Sequence, residues 1–501
     1  MRSLLAVLAF AALLSGCATR FENQPLAAGQ VNAERRVVDV SQLERPLILV
    51  AISGGGSRAA ALGWVVLREL QHHRYRAADG TFRPLTEDIA VISSVSGGSV
   101  IAAHYALNGA PGLERFEPDF LALDNTSTLV HSALNPVNWG KSRSELVEQL
   151  FDRQLFNNRT FADINQRDKP YLILNATDMA SGEVFAFTPH RFDDICSDLD
   201  ALAISAGVAA SAAVPIVFTP VAFRNHSADH CAGRPAPGWI ERRLQGRYAP
   251  YVNLDAFKLA RYANDLRHGP DSFRRIDYLY LLDGGLADNL AVHGLLEAVF
   301  SPYAVPIVAP PGGQAGQPGT LLHGINQGRV KKIAVILVNA RADPTNKISQ
   351  SANRPGILGM FNSVASVPID SASASIRAQI EPRLSELKAA SGGTGGAAGA
   401  PLFAEMKVYN VEIDFDQLRA NEPRQRALRD QVKAIPTLWT ITKPNLEVIE
   451  QAGITLLHQH PCFQRLLTDL GIPADFIDTT SALKGCPQAA DRSAVEGAHK
   501  F

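Results

Sequence analysis

The chain is short of charge and of cysteine, and each shortage removes a class of function. Charged residues make up 19% of its 501 positions, and the formal net charge is −1. With no long basic run, it carries no electrostatic footprint for nucleic acid, so no nucleic-acid partner is expected. The five cysteines include no C-x-x-C pair, which leaves zinc and iron–sulfur centres without support. No D-x-[DN]-x-[DN]-G run is present, so a calcium loop is excluded and neither a metal nor another cofactor is expected. What the chain does have is apolar bulk. Hydrophobic residues reach 46%, enough for a sizeable buried core and too many for global disorder.

The N-terminus also lacks something, namely the length to cross a bilayer. Arg2 precedes an apolar run from Leu4 to Leu14, well under the roughly 20 residues that a spanning helix needs. The run fits a secretory signal instead. Its ending, Leu14-Ser15-Gly16-Cys17, resembles the bacterial lipobox. That resemblance implies removal of residues 1–16 and acylation of Cys17 as the membrane anchor, and Ala18 after the cysteine favours the outer membrane. Two or more acyl chains give stable anchoring where one does not. Export would place Cys196, Cys231, Cys462 and Cys486 in an oxidising compartment. Four cysteines allow three connectivities, and sequence does not choose among them or exclude plain buried thiols.

Residues 17–45 show no sustained hydrophobic period and read as a lipid-anchored tether. From Pro46 the character changes. Leu47–Ile52 is continuously apolar and runs into Ser53-Gly54-Gly55-Gly56, and helical spacing follows from Ala59 to His72. Asp88 to Val95 repeats the pattern, with Gly97-Gly98 and a helix-like stretch through Ala106. Strand, glycine turn and helix in repetition predict an α/β domain with a central, mainly parallel sheet. Further strands are expected at Tyr171–Asn175, Tyr278–Leu282, Lys332–Asn339 and Met406–Phe415, with loops at 309–320 and 391–401. The economical division is one catalytic domain over 46–455 and a C-terminal extension over 456–501.

The two glycine turns ask for a chemical explanation. Gly54-Gly55-Gly56-Ser57-Arg58 lacks the lysine of a phosphate loop and the last glycine of G-x-G-x-x-G. Three glycines at a helix start can aim several N–H groups at one point with the helix dipole behind them, which suits an oxyanion. Arg58 adds positive charge nearby. The second turn, Ser94-Val95-Ser96-Gly97-Gly98, has the form of a nucleophile elbow, G-x-S-x-G, with serine in the first place. Ser96 is the expected nucleophile, with Ser94 and Ser99 as its competitors. A base is offered by Asp283, where the apolar Leu279–Leu282 ends in Asp283-Gly284-Gly285. A carboxylate there could also do no more than cap a turn. In a buried setting its proton affinity would rise toward that of a useful base.

Taken together, Gly54-Gly55-Gly56-Ser57-Arg58, Ser94-Val95-Ser96-Gly97-Gly98 and Asp283-Gly284-Gly285, in that order, resemble the patatin-like phospholipase family. Asn175-Ala176-Thr177-Asp178, the block from Ala210-Ser211 to Pro220-Val221, and Asn289 add to the likeness. The resemblance implies a three-layer α/β/α patatin-like fold and a lipid acyl hydrolase working on lipid at a membrane surface. It implies a Ser96–Asp283 dyad without histidine and an oxyanion hole from Gly54, Gly55, Gly56 and Arg58. His190, His226 and His230 then need only structural or surface roles. The competing reading is a membrane-anchored lipoprotein that keeps the fold as a scaffold or lipid-binding module.

Overall fold

Strand β2, Leu47–Ile52, is buried along its whole length, as its unbroken apolar sequence demands of a strand covered on both faces. In a computed structural model, which describes residues 19–38, 44–215, 217–245, 254–270, 274–300, 321, 329–341, 406–473 and 477–488, it lies near the middle of a nine-stranded sheet. Residues 1–16, Cys17 and the loops expected at 309–320 and 391–401 lie outside the described residues.

The sheet strands are β1 (Thr19–Arg20), β2, β5 (Ile89–Val95), β6 (Tyr171–Asp178), β7 (Val184–Ala186), β8 (Val221–Arg224), β9 (Tyr278–Asp283), β10 (Lys332–Asn339) and β11 (Lys407–Asp414). Strands β3 (Arg74–Arg76) and β4 (Phe82–Pro84) form a separate hairpin. The order across the sheet is β1-β8-β9-β6-β5-β2-β10-β11, with β7 also on β6. The run β6-β5-β2-β10-β11 is parallel throughout. The sequence pattern does not distinguish the direction of β9, which pairs antiparallel with both β6 and β8. Its alternating exposure, with Tyr278 and Tyr280 outward and Leu279 and Leu281 inward, is the signature of such a strand.

Six helices position or support the site: α1 (Gly56–His72), α2 (Gly97–Asn108), α3 (Ile204–Ser211), α4 (Gly285–Asp288), α5 (Val292–Phe300) and α6 (Lys443–Gln459). Alternate residues of β2 feed two separate cores. Ile48, Val50 and Ile52 pack with Leu62, Val66, Ile101 and Ile449 of α1, α2 and α6. Leu47, Leu49 and Ala51 pack with Val292, Leu295 and Val299 of α5. Period-two alternation with apolar residues on both sides therefore builds three layers, helices on each face of one sheet.

Residues 19–38 are not a free tether. β1 adds a parallel edge to β8, Asn23 donates to Ser197 Oγ and to the Arg224 carbonyl, and Asn32 to Asp193 and the Ser197 carbonyl. This packing rests largely on polar side chains, with Leu26 as an isolated buried apolar residue, so no hydrophobic period announces it. At the other end, α6 crosses position 455, and the segment beyond it is held on β11 through Lys407–Asp469 and Tyr409–Asp469 contacts of 2.8 and 2.7 Å. Cys196 pairs with Cys231 and Cys462 with Cys486, which selects one of the three connectivities. Among the described residues, no helix is long and apolar enough to cross a membrane.

Candidate active site

Sheet register brings the two principal residues together. Val95 of β5 pairs with Asn175 of β6, so Ser96 is level with Ala176, and Ala176 pairs with Asp283 of β9. Their backbones are thus two strand spacings apart, about 10 Å, a gap that two side chains pointing toward each other can close.

Ser96 turns β5 into α2 with φ 53° and ψ −123°. A non-glycine residue held there is strained by roughly 1–3 kcal/mol and persists only where its surroundings enforce it. The enforcement is visible. The Ser96 N–H donates to Ser211 Oγ at 3.0 Å, and that hydroxyl donates to the Asn175 carbonyl at 2.6 Å. A Cβ on Gly97 would lie 2.0 Å from the Gly56 carbonyl oxygen, and one on Gly98 would lie 2.6 Å from the carbonyl oxygens of Ile52 and Ser53. The two glycine turns are therefore packed backbone to backbone. Ser94 and Ser99 are fully buried and donate within a network that includes Ile173 O, Ser94 Oγ and Ser211 Oγ. Their hydroxyls are structural members of the turn, which leaves Ser96 as the serine at the elbow.

Asp283 is buried, and its backbone is held by Ala213 O and Thr177 Oγ1, each at 2.9 Å. Its two carboxyl oxygens have different neighbours. Oδ1 accepts the Gly285 N–H at 2.8 Å. Oδ2 is buried and closes no aligned hydrogen bond, while the Ser96 hydroxyl is near enough to favour the ionised carboxylate. Burial outweighs both contacts and pushes the Asp283 pKa up from 3.8 to about 6, because a carboxylate removed from water loses its hydration. Gly284 is required by crowding, since a Cβ there would stand 2.2 Å from the Asn175 carbonyl. The three histidines singled out in the sequence are engaged elsewhere. His190 is bound to Glu297 at 2.9 Å and His226 to the Asn23 carbonyl at 2.9 Å, and His230 packs edge-on against His226.

The glycine loop closes the third side. Gly54 abuts Ser96, a Cβ on it falling 3.3 Å from Ser96 Cβ and 2.6 Å from Asn289 Oδ1, and its N–H donates to the Asn289 carbonyl at 3.2 Å. Gly55 and Gly56 have φ of 142° and 60°. Their N–H groups stand at the start of the 17-residue α1, where a helix leaves its first amides unpaired and its dipole positive. Arg58 serves a different part of the site from the one its motif suggests. Its guanidinium donates to the carbonyls of Ala340 (2.8 Å) and Ile435 and to Thr437 Oγ1 at 3.2 Å, so its charge clamps two loops behind the glycines. Burial brings its pKa down to about 10, still cationic at neutral pH.

Asn175, Ser211 and Asn289, which in the sequence are motif members without an assigned task, carry the hydrogen bonds that shape the elbow and join the two loops. The 435–438 segment carries no motif of its own. Leu438 O accepts the Ser57 N–H at 2.8 Å, and nothing in an ordinary Pro-Thr-Leu stretch signals that a helix start will dock on it.

A family model described as patatin-like phospholipase matches residues 50–296. A search of curated proteins found no match. Among solved structures, human GIVD cytosolic phospholipase A2 aligns at 10% identity and a TM-score of 0.39, covering 85% of this chain and 63% of that one. The same human enzyme in complex with methyl gamma-linolenyl fluorophosphonate aligns at 10% identity and a TM-score of 0.36, covering 85% and 60%. The chain thus spans less than two thirds of the length of these proteins.

Proposed function

With residues 50–296 forming a domain of the patatin-like phospholipase family, we propose that the protein is a lipid acyl hydrolase in which Ser96 is the nucleophile and Asp283 its base. The observation that carries the reading is the buried carboxyl of Asp283 beside a serine held at positive φ. Burial gives this carboxylate a proton affinity of the kind an imidazole has, so a histidine is unnecessary. A scaffold would have no use for a strained serine, which favours the enzyme over the lipid-binding alternative.

In the proposed cycle Ser96 Oγ attacks the ester carbonyl of a phospholipid or glyceride as Asp283 Oδ2 takes its proton. The negative oxygen that forms is received by the amides of Gly55 and Gly56; Gly54 is already committed to Asn289. Collapse of the adduct releases the alcohol, which leaves with the proton from Asp283. Water then attacks the acyl–Ser96 ester, Asp283 takes its proton in turn, and fatty acid departs with the serine restored. Incubating the protein with an alkyl fluorophosphonate and mapping the adduct tests this directly. Ser96 should carry the label in a single peptide, whereas labelling at another serine or none would overturn the assignment.

The membrane end of the proposal rests on Cys17. Because Thr19 pairs at the sheet edge with Val221, an acylated Cys17 would hold that edge two residues from the anchor, with no long leash. Cys17→Ala should abolish incorporation of radiolabelled palmitate and move the protein out of the membrane fraction. Unchanged partitioning, with no palmitate in the parent chain, would remove the anchor.

A further inference from the structure

We propose that Glu69, His73 and His458 form a divalent metal site, best suited to zinc, that joins α1 to α6. Among the described residues, their ligand atoms are the cluster in which a carboxylate oxygen and two imidazole nitrogens all lie within 4.8 Å of one another. Glu69 is in the last turn of α1 and His73 caps it, a spacing of four that places both on one helix face. His458 comes from the last turn of α6, 389 positions beyond Glu69, with its Nε2 2.8 Å from Glu69 Oε2.

Three features make this more than a chance meeting. The first is rigidity that does not depend on the cluster. A Cβ on Gly453 of α6 would stand 2.9 Å from Val65 Cγ1 and 3.0 Å from Leu62 Cδ1, so the two helices touch closely, and Arg68–Glu450 at 2.7 Å ties them near the cluster. The second is the state of His73. Its Nδ1 lies 2.7 Å from the Glu69 backbone carbonyl, which can only accept. Nδ1 therefore carries the hydrogen and Nε2 the lone pair, the arrangement in which a backbone oxygen orients an imidazole ligand. The third is access. Phe463 packs edge-on against His73 at 5.4 Å and gives one apolar wall, while the Glu69 and His458 side chains stay 13% and 25% exposed, so an ion can enter and keep a water.

The donor set selects the metal. Two imidazoles and one carboxylate suit zinc, whereas calcium and magnesium ask for oxygen ligands. Zinc bonds of about 2.0–2.2 Å in a tetrahedron put neighbouring ligand atoms about 3.3 Å apart. The Glu69 Oε2–His458 Nε2 distance of 2.8 Å is shorter than that and all three ligand atoms lie within 4.8 Å of one another, so small side-chain rotations would close the site. Sequence reading expects no metal here because the ligands fall in no local spacing pattern. The ion would pin the far end of the helix whose first residues are the glycine loop.

The experiment is a Zn2+ titration of the full, tag-free chain after chelation and dialysis, with Co2+ as a spectroscopic probe. One equivalent of Zn2+ should bind, the melting temperature should rise with its concentration, and Co2+ should give tetrahedral absorption. Glu69→Gln and His458→Gln, each partly exposed and free to fold, should weaken binding at least about tenfold and lose the thermal gain. His226→Gln should change neither. Absence of stoichiometric binding to the parent chain would overturn the site and leave a simple Glu69–His458 ion pair. Equal affinity in the parent and both variants would overturn it too, placing any bound ion elsewhere.

Discussion

Ser96→Ala and Asp283→Asn are each expected to lower kcat by about 10⁴-fold, and the double variant to be little worse than either. The reason is that both residues serve one proton transfer. Once the hydroxyl is gone, the carboxylate has nothing to deprotonate, and once the carboxylate is gone, the hydroxyl stays neutral and poorly nucleophilic. Losses of this size and this non-additivity are what other serine hydrolases display when members of a single proton-transfer unit are removed. The rate that survives should come from the amides of Gly55 and Gly56 and from substrate binding. Steady-state hydrolysis of a short-chain ester by the four proteins gives the cycle directly. If the two losses multiplied instead, Ser96 and Asp283 would be acting on separate steps. An Asp283→Asn protein with near-parental kcat would end the dyad mechanism altogether.

How much of this is readable in the sequence differs from element to element. The strands β2, β5, β6, β10 and β11 each lie within three residues of the expected bounds, because strand-length runs rich in apolar and β-branched residues admit few other readings. The elbow and Asp283 are readable for a related reason. Gly97, Gly98 and Gly284 are positions where any Cβ would meet backbone at 2.0–2.6 Å, and such compulsion leaves glycines in the sequence. What is not readable depends on partners far away in the chain. The direction of β9 is decided by pairing with β6 about a hundred residues earlier. The task of Arg58 is decided by carbonyls at 340 and 435. The packing of residues 19–38 is decided by hydrogen bonds to the 193–197 and 224 segments. A single buried arginine or asparagine looks the same in sequence whether it meets a substrate or a carbonyl.

Asp283→Asn should make the protein more stable as well as inactive, and the gain should depend on pH in one direction. The folded chain holds the Asp283 proton up to about pH 6, against an ordinary carboxylate value of 3.8. Between those two values the folded state binds more protons than the unfolded one, so raising the pH favours unfolding. Below about pH 4 both states are protonated and burial of the neutral acid costs little. Above about pH 6 the folded protein must keep a buried anion, and a shift of about two units corresponds to about 3 kcal/mol. Asparagine has no such charge and can still accept the Gly285 N–H through its amide oxygen. The variant should therefore exceed the parent by up to about 3 kcal/mol at pH 8, a rise of several degrees in melting temperature, with the difference shrinking toward zero at pH 4. Every other titrating group is common to both proteins and cancels. Urea unfolding of the pair at several pH values measures the gap, and the acid limb of kcat/KM for the parent should rise through the same pH of about 6. A gap that is constant with pH would mean that Asp283 is not a buried, proton-hungry carboxylate, and the proposed base would lose its physical ground.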